Sequence, residues 1–233
     1  MGKYKILFIH GAGGTKSKWR AVGGYFKSSQ FEVIDLPGHG DNETSIFASI
    51  QDYAANIDKA IQEDTIVVGH SMGGLIALEL AARSKKVKGV VLAASFYELP
   101  VHPKMLEKLE NGEYPSSLFY ASYNKDISEH LLEEEKQELN QVPIEITYAD
   151  FNACNQYTEG KRALSSLNIP IYAILGSQDR LLPIGAAESL KNVKSDMKIT
   201  EIEGSGHYIM LEKPKEFILA LTEFVQEVET QTV

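Results

Sequence analysis

Gly69-His70-Ser71-Met72-Gly73 is the segment that most limits what this 233-residue chain can fold into. It follows the β-branched run Thr65-Ile66-Val67-Val68 and opens the helical run Gly74-Leu75-Ile76-Ala77-Leu78-Glu79-Leu80. A strand that turns straight into a helix forces its corner residue into a strained backbone conformation. The neighbours two positions either side then pack too close for a Cβ. Glycines at 69 and 73 meet that demand. The corner lifts the Ser71 hydroxyl clear of the sheet and sets it at a helix N-terminus, where the positive end of the dipole favours developing negative charge.

The rest of the chain supplies a frame for such a corner. Residues 5–9, 31–35, 65–68, 87–93, 169–175 and 197–202 read as strands, and several are continuous apolar runs of the kind buried on both faces of a parallel sheet. Helical patterns lie between them, at 48–62, 73–83, 184–190 and 215–228, the last opened by Pro214 in the position where proline suits a first turn. This alternation predicts an α/β sheet with helices on both faces. One stretch breaks the rhythm. Residues 96–167 carry no clear buried strand but hold helical patterns and nine aromatics. Such an insertion reads either as a small helical subdomain with its own core or as a lid over a site. The expected division is therefore a core of residues 1–95 and 168–233 with a helical cap at 96–167. Within the cap, Glu133-Glu134-Glu135 on the helical stretch 126–140 reads as a solvated face.

Composition excludes several function classes. A net charge of -9 repels phosphate backbones and anionic membrane surfaces, so nucleic acid is not an expected partner. No apolar stretch reaches the length of a membrane span, and the N-terminus lacks a signal-peptide pattern, so the expected location is cytoplasmic. The single cysteine, Cys154, rules out an internal disulfide, and the six histidines show no paired-ligand spacing, so neither a metal nor a cofactor is expected.

Serine needs a base to become a nucleophile, and histidine is the side chain tuned for that at neutral pH. His207, in Gly204-Ser205-Gly206-His207, follows the last strand, where a loop at the sheet's C-terminal edge would hold such a base. His39 and His70 also lie on strand-end loops, whereas His10 reads as structural and His102 and His130 as surface or lid residues. The base needs a third group to fix its tautomer, and Asp179, after the strand at 169–175, is that candidate. Ser71, Asp179 and His207 occur in the chain order Ser, Asp, His. Upstream, His10-Gly11-Ala12-Gly13-Gly14 ends the first strand, and its glycines let a loop bring N–H groups close to a ligand. The N–H groups of Ala12 and Met72 are the candidate oxyanion donors. A dinucleotide loop would need glycine where Lys16 stands, so nucleotide binding is not expected. Gly11, Phe96, Phe119, Tyr120 and Tyr123 are the candidates for substrate contact.

These motifs, with DLPGHG at 35–40 and GSQDRLLP at 176–183, resemble the α/β-hydrolase superfamily over nearly the whole chain. The resemblance implies an α/β-hydrolase fold with a mostly parallel, eight-stranded core and a helical cap. It also implies Ser71, Asp179 and His207 as a catalytic triad, with Ala12 and Met72 as oxyanion donors and His39 as architectural. Epoxide hydrolases and dehalogenases of the superfamily carry aspartate where Ser71 stands. Its menaquinone-pathway synthase typically has arginine where this chain has Leu75. The expected function is hydrolysis of a small or medium carboxylic ester, a small-molecule substrate, through an acyl-enzyme on Ser71. A lyase or C–C bond hydrolase on the same residues, and a non-catalytic ligand receptor, are the alternatives. Acyl length and oligomeric state are left open.

Overall fold

The computed structural model describes residues 3–231. Six parallel strands make one sheet: β1 (Lys5–Ile9), β2 (Phe31–Ile34), β3 (Thr65–His70), β4 (Val87–Ala93), β5 (Ile171–Gly176) and β6 (Lys198–Ile202), in the order β2-β1-β3-β4-β5-β6. The six are those read from the β-branched runs. The superfamily resemblance implies eight; among the described residues six occur, and the chain between β4 and β5 is helical.

The central strands are continuous apolar runs because both faces are covered. Side chains alternate across a strand, and here Leu7, Ile9, Val67, Val90, Leu92 and Ala173 enter one core. Their neighbours Ile6, Phe8, Ile66, Val68, Val91, Tyr172 and Ile174 enter the other. The first core is closed by α1 (Ile50–Ala60), α2 (Met72–Arg83) and α8 (Ala186–Val193). The second is closed by α10 (Pro214–Gln231), the short α9 (Ile209–Glu212) and a 3-10 helix at Lys16–Trp19. Ser49 caps α1 by accepting from the Asp52 N–H at 3.1 Å, which sets that helix two residues inside the span expected from the sequence. No helix among the described residues is long and apolar enough to cross a membrane.

Between β4 and β5 run α3 (Pro103–Glu110), α4 (Ser116–Ala121), α5 (Glu129–Glu138), α6 (Ile144–Gln156) and α7 (Gly160–Ser166). The helix α7 packs on α2 and α8, so it makes the crossover that joins the two parallel strands. The helices α3 and α6 pack on each other, and α6 also touches α2.

The glutamate run departs from its sequence reading. Glu133 is exposed and Glu134 half-buried, but the Glu135 side chain is 0% exposed. Lys18, whose side chain is 5% exposed, places Nζ 2.5 Å from Glu135 Oε2, and Arg20 Nη1 lies 2.9 Å from Oε1. The Tyr123 hydroxyl donates to Oε2 at 2.9 Å. Burial raises the Glu135 pKa, but Lys18 and Arg20 outweigh it and hold the carboxyl below its ordinary value. This cluster ties α5 to the loop after β1. Truncating one partner of a buried pair strands the other charge, so Glu135→Ala should lose about 3–5 kcal/mol of stability. Urea unfolding reads this as a lower midpoint, and adding Lys18→Met to the same variant should recover part of it.

Candidate active site

The corner between β3 and α2 has the geometry its glycines foretell. Ser71 sits at φ 51°, ψ -117°, in a region that costs an L-residue on the order of 1–3 kcal/mol. The surroundings enforce it. A Cβ on Gly69 would run into the Gly73 carbonyl, and one on Gly73 would lie 2.5 Å from the Ile9 carbonyl oxygen. The Ser71 N–H donates to the Ala93 carbonyl at 3.1 Å, and the Ser95 hydroxyl donates to the Ser71 carbonyl at 2.7 Å. The serine is thus pinned by both adjacent strands while its side chain is raised at the start of α2. Met72 is the first residue of that helix, so its N–H has no intrahelical acceptor.

His207 and Asp179 meet at the C-terminal edge of the sheet. The His207 Nδ1–H donates to Asp179 Oδ2 at 2.8 Å, and the two side chains are 5% and 3% exposed. Since a carboxylate only accepts, the contact fixes the tautomer and leaves the other ring nitrogen with the lone pair a base needs. Asp179 Oδ1 accepts the N–H of Leu181 at 2.8 Å and of Leu182 at 3.3 Å. Burial alone would raise the Asp179 pKa, but His207 and these backbone donors hold it below the ordinary carboxylate value. The His207 backbone is anchored at both ends, its N–H to the Ser122 carbonyl at 2.8 Å and its carbonyl to the His70 Nε2–H at 3.0 Å.

Three other histidines are committed elsewhere. His10 Nδ1–H donates to the Gly11 carbonyl at 2.9 Å, and its Nε2 accepts the Leu36 N–H at 3.0 Å. Burial, with His39 beside it, drives the His10 pKa down to about 4. Burial likewise takes His70 well below its ordinary value. His39 donates to the Pro37 carbonyl at 3.0 Å and to Asp150 Oδ2 at 2.8 Å. Burial opposes its charge, but Asp150 raises its pKa on balance.

Ser71, His207 and Ala12 line one cavity of about 380 Å³, a volume within the range of small-molecule sites. Its other walls are mostly apolar, with Phe96, Tyr97, Leu99, Met105, Leu118, Phe151 and Leu182 among them. Of the substrate-contact candidates, Phe96 lines this cavity, and Gly11 packs so tightly under Ser71 that its own Cβ would lie 3.0 Å from the serine Cβ. Neither Gly11 nor Phe119, Tyr120 and Tyr123 belong to the lining. Phe119 is buried against Tyr123, Tyr120 is 53% exposed, and the Tyr123 ring stacks on Tyr208 at 5.1 Å while its hydroxyl binds Glu135. Met105, Phe151 and Asp150 escape a reading of motifs. The available signal is periodic: Thr147, Asp150, Ala153 and Cys154 share one stripe of α6, so Asp150 is a carboxylate on an otherwise buried face. No group of His, Cys, Asp and Glu among the described residues has the geometry to hold a metal ion.

Comparison with known proteins identifies the family. The Alpha/beta hydrolase family matches residues 6–221, and the chain belongs to it. The Biotin biosynthesis bifunctional protein BioHC of Cellvibrio japonicus is 29% identical over 97% of this chain, and the chain spans 48% of that protein's length. A Pimeloyl-[acyl-carrier protein] methyl ester esterase of Neisseria meningitidis is 23% identical, with 96% of this chain and 94% of the relative covered. The crystal structure of a lipase-esterase related protein from Clostridium acetobutylicum shares the fold, with a TM-score of 0.84 at 20% identity over 96% of this chain and 95% of that one.

The buried histidines set a pH dependence of stability. His10 has a folded pKa of about 4 against 6.5 for the ordinary group, so its neutral form stabilises the fold fully above pH 6.5. That contribution is lost as pH falls toward 4, by about 3 kcal/mol for the shift cited, and His70 acts in the same direction. His39, with its raised pKa, loses its contribution only as pH rises above 6.5. Urea midpoints taken from pH 6.5 down to 4.5 should therefore fall steadily; a flat profile would contradict the burial of neutral His10.

Proposed function

We propose that this chain is a serine esterase that cleaves a small or medium carboxylic ester through an acyl-enzyme on Ser71. The observation that carries the reading is the convergence on one apolar cavity of a strained serine and a histidine bonded to a buried aspartate at 2.8 Å. In this mechanism His207 takes the Ser71 proton as the hydroxyl attacks the ester carbonyl. The imidazolium that forms is stabilised by Asp179 and then protonates the departing alcohol. Water, deprotonated by His207, cleaves the acyl-enzyme by the reverse sequence. The Ala12 and Met72 N–H groups stabilise the oxyanion, each worth about 2.7–4 kcal/mol in well-formed sites.

Two further observations support an ester over the alternatives. The Neisseria relative is named as a methyl ester esterase, and a similar chemistry is proposed here. No lysine or arginine lines the cavity, which disfavours a lyase acting on an anionic substrate. A bare receptor would have no use for a histidine whose tautomer is fixed by a buried carboxylate. We assign residues 96–167 the role of a cap, of which α3, α4 and α6 contribute walls to the cavity through Met105, Leu118 and Phe151. The proposed location is cytoplasmic and the proposed partner is the small-molecule ester itself.

Hydrolysis of p-nitrophenyl esters from acetate to dodecanoate, with Ser71→Ala beside the native protein, tests the reading. Native protein should turn over with an optimum at medium acyl length. Ser71→Ala should lose a factor on the order of 10⁴–10⁶ in kcat. Equal inertness of both proteins would return the site to the lyase and receptor readings.

A further inference from the structure

The loop that carries Ala12 is not held by its own strand alone. Gly13 follows the proposed oxyanion donor, and its N–H donates to Asp150 Oδ2 on α6 at 2.8 Å. That carboxylate is 0% exposed and also receives the His39 Nε2–H at 2.8 Å and the Tyr53 hydroxyl at 3.3 Å. One turn before Asp150, Thr147 packs against the same glycine: a Cβ on Gly13 would lie 2.9 Å from both Thr147 Cγ2 and Oγ1. Gly13 holds a φ of 62°, and the Gly14 N–H closes a turn onto the Gly11 carbonyl at 3.1 Å. Both N–H groups after Ala12 are thereby consumed. The Ala12 N–H has no hydrogen-bond partner among the described residues. The next residue on the helix after Asp150 is Phe151, and Cys154 lies one turn on; both line the cavity.

From this geometry we infer that Asp150 is a positioning residue. Its carboxylate fixes the Gly13 N–H, aims the Ala12 N–H at the cavity, and ties the oxyanion loop to the helix whose Phe151 and Cys154 wall the acyl pocket. Asp150 touches no reacting atom. It acts by deciding which of three successive N–H groups stays available, and His39 and Tyr53 keep it in place by occupying its remaining acceptor sites. An oxyanion donor matters chiefly in the transition state, so its misplacement lowers kcat while leaving KM nearly alone.

The inference rests on the esterase reading for its kinetic readout, and two experiments keep the failures of the two apart. In the first, Asp150→Ala and Asp150→Asn are assayed on p-nitrophenyl butyrate, with inhibition by butylboronic acid, whose tetrahedral Ser71 adduct places an oxygen at the oxyanion position. Asp150→Ala should lose about 10–100-fold in kcat, with KM changed less than about threefold and the boronate Ki raised in step with the kcat loss. Asp150→Asn keeps an acceptor for Gly13 and should recover most of the kcat. A folded Asp150→Ala that keeps its kcat and boronate affinity, or that loses activity through KM alone, overturns the inference. The second experiment needs neither turnover nor a variant. Amide hydrogen exchange of the native protein by NMR should find the Gly13 N–H protected and the Ala12 N–H fast, and equally fast exchange of both overturns the contact. Native protein that is inert on esters but protects Gly13 would retire the esterase reading while the loop–helix tie stands.

Discussion

Everything at the site depends on the close approach of backbone at the β3–α2 corner. With no Cβ on Gly69 or Gly73, the start of α2 presses onto the end of β3 and onto the β1 carbonyls of Ile9 and the following His10. That contact holds Ser71 at φ 51°. A strained residue persists only where its neighbours over-determine it, and here the end of β4 does so through the Ala93 carbonyl and the Ser95 hydroxyl, while Gly73 presses on β1. The same approach brings the β1 loop beside the serine. Gly11 must be glycine because its neighbours are His70 Nδ1 at 2.9 Å and Ser71 Cβ at 3.0 Å from where a Cβ would be. Ser71 and the loop after β1 are therefore placed by one packing event rather than two.

The helices between β4 and β5 are tied to that corner by charge. Two clusters join α5 and α6 to the loops after β1 and β2, Lys18 and Arg20 with Glu135 on α5, and Gly13 and His39 with Asp150 on α6. Burying a charge without a partner costs several kcal/mol, so each cluster admits essentially one arrangement of its helix. Apolar contacts close the cavity with Phe96, Met105, Leu118 and Phe151, yet such contacts tolerate sliding in a way a paired carboxylate does not. The apolar surface sets the size of the cavity. The ion pairs set where that space lies relative to Ser71.

The parts of this arrangement that are local in sequence are legible in it. The six strands follow from β-branched runs, and the corner from glycines two residues either side of Ser71. The Asp179–His207 pair was legible because each residue ends a strand on a short loop, so topology brings the two to one sheet edge although they are 28 positions apart. Glu135 was not. Its charge sits in a run of three glutamates, and nothing nearby in the chain distinguishes the one that finds Lys18 across 117 positions. Tyr123 was expected in the pocket as an aromatic of the cap, but its hydroxyl serves that same carboxylate. Asp150 pairs with His39 across 111 positions, and only its place on a buried helical stripe marks it. The eight strands implied by family resemblance gave way to the six that the runs themselves indicate. Long-range polar pairs are the part of a fold that periodicity cannot report.

The central claim is that this packing makes Ser71 a nucleophile activated by His207. Reaction with a fluorophosphonate, followed by mass mapping of the digested protein, tests it most directly, because the reagent needs an activated serine but no particular substrate. The account predicts a single adduct on the peptide containing Ser71, formed rapidly by the native protein and at least about a hundredfold more slowly by His207→Ala. Failure of the native protein to label, or labelling at another serine, would contradict it.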